Sequence, residues 1–322
     1  MVRKKIVNPS LLTTINKAAG RIAEEVTVSF DEAVDSFIEN SVIKGLSPET
    51  TASYAKELKQ IRRVFGEQGV GLDDIRTLTE DDFTAFVRAQ LDRNLGRRTI
   101  NTRLRTAKIF GNFCVRKGYT DVNVAANVEV LKVRHEVGAT FTKSQLKRLL
   151  DVPNISTFEG LRDLAIMIML VDTGVRVSEL AAVKVGDVVF SERSVNIQRT
   201  KNRYARRIPL TKRLQAVLKA YVSTRGVNEE TEALFITALD APLNTRSIQY
   251  QIRKHGKDAG ILSEVQCSPH VFRRTFAKNK IRAGVDVFTL QAYMGHSDIN
   301  ELRKYVAVYS ADLDANIEKG VD

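Results

Sequence analysis

The chain has no tryptophan, only two cysteines in 322 residues, four histidines and six prolines. Cys114 and Cys267 stand far apart and form no CxxC pair, which excludes a disulfide-stapled secreted scaffold and a cysteine-held zinc site and predicts a reduced, intracellular protein. Long hydrophobic runs are missing as well. The longest purely apolar stretch, Leu164–Val171, is far too short to span a bilayer. Met1–Ile6 is basic, but no apolar signal core follows it, so neither secretion nor membrane anchoring is expected. No GxxxxGK[ST] phosphate loop and no cluster of carboxylates suited to a two-metal nuclease is present, and no cofactor or metal is called for. Internal repeats and low-complexity tracts are absent too.

What is abundant is positive charge. Fifty Lys and Arg residues face 38 Asp and Glu, a formal net charge of +12, and a polyanionic partner follows, nucleic acid before membrane. With 43% hydrophobic residues the chain can build one large or two ordinary domains.

Residues 1–26 form a first unit, with Asn8-Pro9-Ser10 as a helix start. Two readings stay open there, a short amphipathic helix that docks elsewhere and a frayed N-terminal arm. Residues 27–120 read as four helices. Their apolar stripes begin at Phe30, Val34 and Phe37, at Tyr54, Leu58 and Ile61, at Phe83, Phe86 and Val87, and at Ile100, Leu104 and Ala107. Arg97, Arg98, Arg103, Arg105 and Lys108 cluster along the fourth helix as candidate DNA-binding residues, a positive face that can lie against a phosphate backbone. A solvated basic face is the competing reading.

Residues 121–140 lack periodicity and read as an extended linker. Residues 141–322 read as a mainly helical second domain, with a buried helix over Gly160–Asp172, a turn at Thr173–Arg176 and a helix over Asn244–Gly260. Val185–Gln198 and Ala205–Leu210 add a small antiparallel β-sheet. A short last helix is expected over residues 311–319.

The stretch Ser268–Tyr305 gathers the chemistry. It holds His270, Arg273, Arg274, His296 and Tyr305, with His270 and Arg273 three apart and so on one helical face. Guanidinium groups neutralise phosphate oxygens, imidazoles move protons, and a phenol is a nucleophile. Together these groups suit attack of a tyrosine oxygen on a phosphodiester.

At these residues the chain resembles a known family. TGVRVSEL (Thr173–Leu180), HVFRRTFA (His270–Ala277) and MGHSDINELRKY (Met294–Tyr305) look like the three boxes of the tyrosine recombinases, the phage-integrase family that includes the Xer recombinases. The resemblance covers roughly residues 27–310. It implies a two-domain clamp on duplex DNA: a SAM-like helical core-binding domain at 27–120 and a mixed α/β catalytic domain at 141–322 with a C-terminal helix. It also implies site-specific recombination through a 3′-phosphotyrosyl intermediate and a Holliday junction, without metal or ATP. The acting species would be a homotetramer on two sites, built from dimers on one, in the cytoplasm at the nucleoid. The first 26 residues are too short for a separate arm-binding domain, which favours short core sites.

Roles carry over residue by residue. Arg176 and Arg273 would clamp the scissile phosphate, with Glu179 orienting Arg176. Lys201 would protonate the leaving 5′-oxygen, His270 would assist proton transfer, His296 would hydrogen-bond the phosphate, and Tyr305 would be the nucleophile. Arg274 departs from the family, where histidine commonly follows the second arginine, and it receives no catalytic role. Tyr309, four residues after Tyr305, is the rival nucleophile. Cys267 is expected to be a buried thiol, while His135 and His255 read as surface or DNA-facing. A DNA-binding regulator that has lost catalysis and a type IB topoisomerase are the competing functions. The recombination site, the direction of the reaction and any accessory directionality factor lie beyond the sequence.

Overall fold

The structure is a computed structural model, described here for residues 27–133, 138–198, 205–226 and 231–295. The expected helices over residues 1–26 and 311–319, together with Lys201, His296, Tyr305, Tyr309 and His135, lie outside the described residues. The chain divides into two compact units between His135 and Glu136. Among the described residues no helix is long and apolar enough to cross a membrane.

The first unit is built from α1 (Phe30–Ile43), α2 (Pro48–Glu67), α3 (Glu80–Asp92) and α4 (Arg97–Lys117), the four helices expected from the apolar stripes. Their ends follow from local chemistry. Ser29 with Glu32 and Thr79 with Asp82 form capping boxes that satisfy the first free backbone amides of α1 and α3. Ser47 caps α2 ahead of Pro48, and Gly118 closes α4 in the left-handed region at φ 73°.

The core is aromatic. Phe37 meets Phe110 and Phe113 edge-on at 5.6 and 5.3 Å, and Phe65 meets Phe83 at 5.1 Å.

Two expectations change in this unit. Residues 121–133 do not run free as a linker but pack on the helical core, burying Ala125 and Val128. The amide of Asn101 donates to the Leu131 carbonyl and its oxygen accepts from the Leu131 N–H, both at 2.8 Å, and Lys108 Nζ donates to the Ala126 carbonyl at 2.9 Å. Polar side chains of α4 thus satisfy an irregular backbone that shows no periodicity in sequence. Arg103, expected on the basic face, is instead 9% exposed, its Nε donating to Glu57 at 3.2 Å and its Nη1 to Gln90. It shares the inward side of α4 with Ile100, Leu104 and Ala107, so the helical period that placed it among the arginines also turns it into the core. Arg97, Arg98 and Arg105 are exposed and Lys108 is half-buried.

The second unit centres on α6 (Phe158–Thr173), whose residues Ala165–Val171 are all buried. Around it stand α5 (Lys143–Leu150), α7 (Val177–Ala181), α8 (Lys212–Arg225), α9 (Thr245–Asp258), α10 (Pro269–Arg282) and α11 (Val287–Met294). Strands β1 (Val188–Val189), β2 (Ser194–Ile197) and β3 (Arg206–Pro209) form the small antiparallel sheet in the order β1-β2-β3. The register sets Val195 opposite Ile208 and Ile197 opposite Arg206. Val195, Ile197 and Ile208 are buried, which anchors the sheet on the core. A smaller apolar cluster of Phe276, Ala277, Ile281, Leu290 and Met294 fastens α11 to α10.

Candidate active site

The site begins where α6 ends. Gly174 closes that helix at φ 63°, its N–H donating to the Leu170 carbonyl at 3.0 Å. A side chain there would strike the ring of Phe276 on α10, so only glycine lets these helices close. The turn delivers Arg176 as the residue before α7. Its backbone N–H donates to Glu179 Oε2 at 2.9 Å and its Nη1 to Glu179 Oε1 at 3.1 Å.

Arg273 arrives from α10. Ser268 and Pro269 start that helix, His270 is exposed in its first turn, and Arg273 lies one turn further along the same face, 8% exposed. Arg273 Nη1 donates to the Gly174 carbonyl at 2.6 Å and Nη2 to the Met294 carbonyl at 2.7 Å. Arg176 Nη2 donates to the Gly295 carbonyl at 2.8 Å. The last carbonyls of α11 have no acceptor role within the helix and carry the negative end of its dipole, so guanidinium groups gather there.

A third guanidinium completes the group. Arg206 on β3 donates through Nη1 and Nη2 to the two Glu179 oxygens at 3.0 and 2.7 Å, and through Nε to the Tyr293 carbonyl at 2.8 Å. Sequence reasoning passed over Arg206. The signal was the alternation in Arg206, Arg207, Ile208 and Pro209, which puts Arg206 on the inward side with Ile208 and Arg207 outside.

Glu179 is 2% exposed. Burial alone would push its carboxyl up, but hydrogen bonds from Arg206 and the Arg176 amide, with both guanidinium charges, hold it below the ordinary range. It stays an anion between two cations.

The structure therefore brings together Arg176, Glu179 and Arg273 of the expected set, with His270 in the same helix as Arg273. Arg274 is half-buried on α10, against Gly138. His255 is not at the surface. Its Nε2 lies 2.9 Å from Asp163 Oδ2, and Arg162 binds the other oxygen of that carboxylate at 2.8 Å. The pair is interior because α9 turns His255 toward α6, a contact between distant segments. Both cysteines are buried, and burial pushes the Cys267 thiol up to about 11 and Cys114 to about 12, so neither offers a thiolate near neutrality. Among the described residues no group of three or more His, Cys, Asp or Glu side chains is placed to hold a metal ion.

Comparison with known proteins fits this geometry. Residues 139–311 match the phage integrase family and residues 34–118 match its N-terminal SAM-like domain. Tyrosine recombinase XerC of Oceanobacillus iheyensis is 28% identical over 284 residues, a match covering 85% of this chain and 91% of the relative. Among solved structures, a lambda integrase dimer bound to a COC′ core site aligns with a TM-score of 0.72 at 17% identity, over 94% of this chain and 81% of that one. The Tn1549 transposon integrase in complex with circular intermediate DNA aligns at 0.70 and 18% identity, over 87% of this chain and 95% of that one. The chain belongs to the phage integrase family. It is a site-specific DNA recombinase, mainly α-helical with a small antiparallel sheet behind its arginine cluster.

Proposed function

We propose that this enzyme cuts and rejoins duplex DNA by attack of Tyr305 on the scissile phosphate, leaving a 3′-phosphotyrosyl bond and a free 5′-hydroxyl. The observation that carries the reading is the convergence of Arg176 and Arg273 on the end of α11, where the chain runs on into His296. Two fixed guanidinium groups stabilise the charge that spreads over the phosphate oxygens in the transition state, without reorganisation at the moment of reaction. Arg176 keeps 26% of its side chain exposed, so it has surface left to present to a phosphate.

His270 and His296 assist proton transfer and bind the phosphate. Lys201 protonates the leaving 5′-oxygen. Attack on a phosphate clamped by Arg176 and Arg273 would bring the Tyr305 phenol, ordinarily ionising at about 10, beside two cations that favour its phenolate. The covalent bond keeps the energy of the broken phosphodiester, so rejoining requires no nucleotide hydrolysis.

Arg97, Arg98, Arg105 and Lys108 contribute backbone contacts to DNA from α4. Two sites are joined by a tetramer, residues 311–319 docking on a neighbouring copy through Leu313 and Ile317, and strands exchange in two steps in the cytoplasm.

Covalent capture tests this reading. The protein is mixed with fragmented host DNA and denatured, and the attached DNA is sequenced to give the site. A plasmid carrying two copies of that site should then yield deletion or inversion products. Relaxation of supercoils without joining of two sites would instead favour topoisomerase action, and binding without attachment would favour a regulator.

A further inference from the structure

Arg206 differs from Arg176, the more exposed arginine of the cluster. All three of its guanidinium nitrogens are engaged inside the protein, two on Glu179 and one on the Tyr293 carbonyl. Its side chain is 11% exposed, against 26% for Arg176. Three of the five N–H donors of Arg206 are spent this way, on partners that the protein itself supplies. It is a linker between two things that matter. One is Glu179, the carboxylate that holds Arg176 from behind. The other is the end of α11, from which the chain leads to His296 and Tyr305.

The packing fixes this link. Arg206 stands on β3, paired with Ile197 of β2. Its Nη1 lies so close to Gly295 that a side-chain carbon there would sit 2.8 Å from it, and Gly295 is at φ 61°. The forked pairing with Glu179 is the strong, directional form of a charge-assisted hydrogen bond.

We propose that Arg206 is a positioning residue for strand cleavage, setting the phosphate-binding Arg176 and the α11 terminus in one fixed relation. The inference rests on the site reading above, in which Arg176 binds phosphate and Tyr305 attacks it. A neutral side chain at 206 leaves both parts present but misplaced. A displacement of about 1 Å between reacting groups costs on the order of 100-fold in rate.

The test uses the full chain and a nicked duplex carrying the captured site, on which covalent attachment cannot be reversed. Wild type, Tyr305→Phe, Arg206→Gln and Arg206→Lys are compared for site affinity, thermal unfolding and rate of attachment. Arg206→Gln should attach about 100-fold more slowly with site affinity unchanged. Arg206→Lys, which keeps a cation on Glu179 but loses the fork, should regain part of the rate.

A second substrate replaces the leaving 5′-oxygen with sulfur, which needs no proton to depart. The Arg206→Gln defect should persist on it. Rescue by sulfur would place Arg206 in the service of Lys201 and leaving-group protonation, and would overturn the inference. Equal attachment rates for wild type and Arg206→Gln would also overturn it, with the site reading intact. So would a loss of affinity and folding as large as the loss of rate for both variants, which marks a structural role alone. Attachment by Tyr305→Phe at the wild-type rate would instead remove the site reading, and this inference with it.

Discussion

The two units of this protein each bury an arginine against a glutamate, and they put the pair to different uses. In the helical unit Arg103 meets Glu57 and Gln90, with both charged side chains near 10% exposed. The group lies between helices of that unit, and the exposed Lys56 approaches it from the solvent side, its Nζ 3.9 Å from Glu57 Oε1. In the second unit Glu179 is buried further, at 2%, yet one of its two arginines, Arg176, stays 26% exposed. The first arrangement is a completed pair. The second is a held charge, with a buried anion restraining a cation whose other side faces outward. The side-chain chemistry is the same in both units, and exposure of the cation separates the closed pair from the one proposed to meet a phosphate.

This contrast can be broken by substitution. Arg103→Ala leaves the buried Glu57 with the exposed Lys56 as its cationic partner and should destabilise the first unit by about 3 kcal/mol. Arg103→Met combined with Glu57→Leu should return most of that loss, because matched apolar groups cost little where a broken pair costs much. Chemical unfolding of the full chain reads both. Arg176→Lys in the second unit should behave in the opposite way, keeping most of the stability while lowering the rate of covalent attachment to DNA by about 100-fold. An Arg176→Lys protein that cuts at the wild-type rate would remove the difference between the units.

The pH dependence sharpens the comparison. The Glu179 carboxyl is held below its ordinary value of 4.5, so its contribution to stability is complete above about that pH and is lost as pH falls through the lowered value. Glu179→Gln should therefore melt below wild type at neutral pH, and the gap should narrow in acid. Thermal unfolding of the two proteins between pH 7 and pH 3 measures this. A gap that stays constant with pH would mean that the charge of Glu179 contributes nothing. The smallest effect belongs to the exposed face of α4. Arg98→Ala should leave folding untouched and lower the salt dependence of DNA binding by about one ion released.

Much of this was legible in the sequence where one short stretch carries its own signal. The four helices of the first unit follow from apolar spacing and from caps such as Ser29 with Glu32. Gly174 and Arg176 stand out in TGVRVSEL, and His270 and Arg273 share a turn. Contacts between distant segments were not legible. The bond from Arg206 to Glu179 spans 27 residues and that to Tyr293 spans 87, and no local pattern announces either. Arg103 was read among its basic neighbours, although its spacing from Ile100, Leu104 and Ala107 turns it inward. His255 has its partner Asp163 on another helix, and residues 121–133 are held by side chains of α4.

The central claim, that the guanidinium cluster serves attack by Tyr305, has a direct test. Wild type and Tyr305→Phe are incubated with a nicked duplex bearing the captured site, denatured and resolved by mass. Wild type should carry DNA covalently and Tyr305→Phe should carry none while binding the intact site equally well. Attachment by both proteins would contradict the claim and move the nucleophile elsewhere, to Tyr309 first.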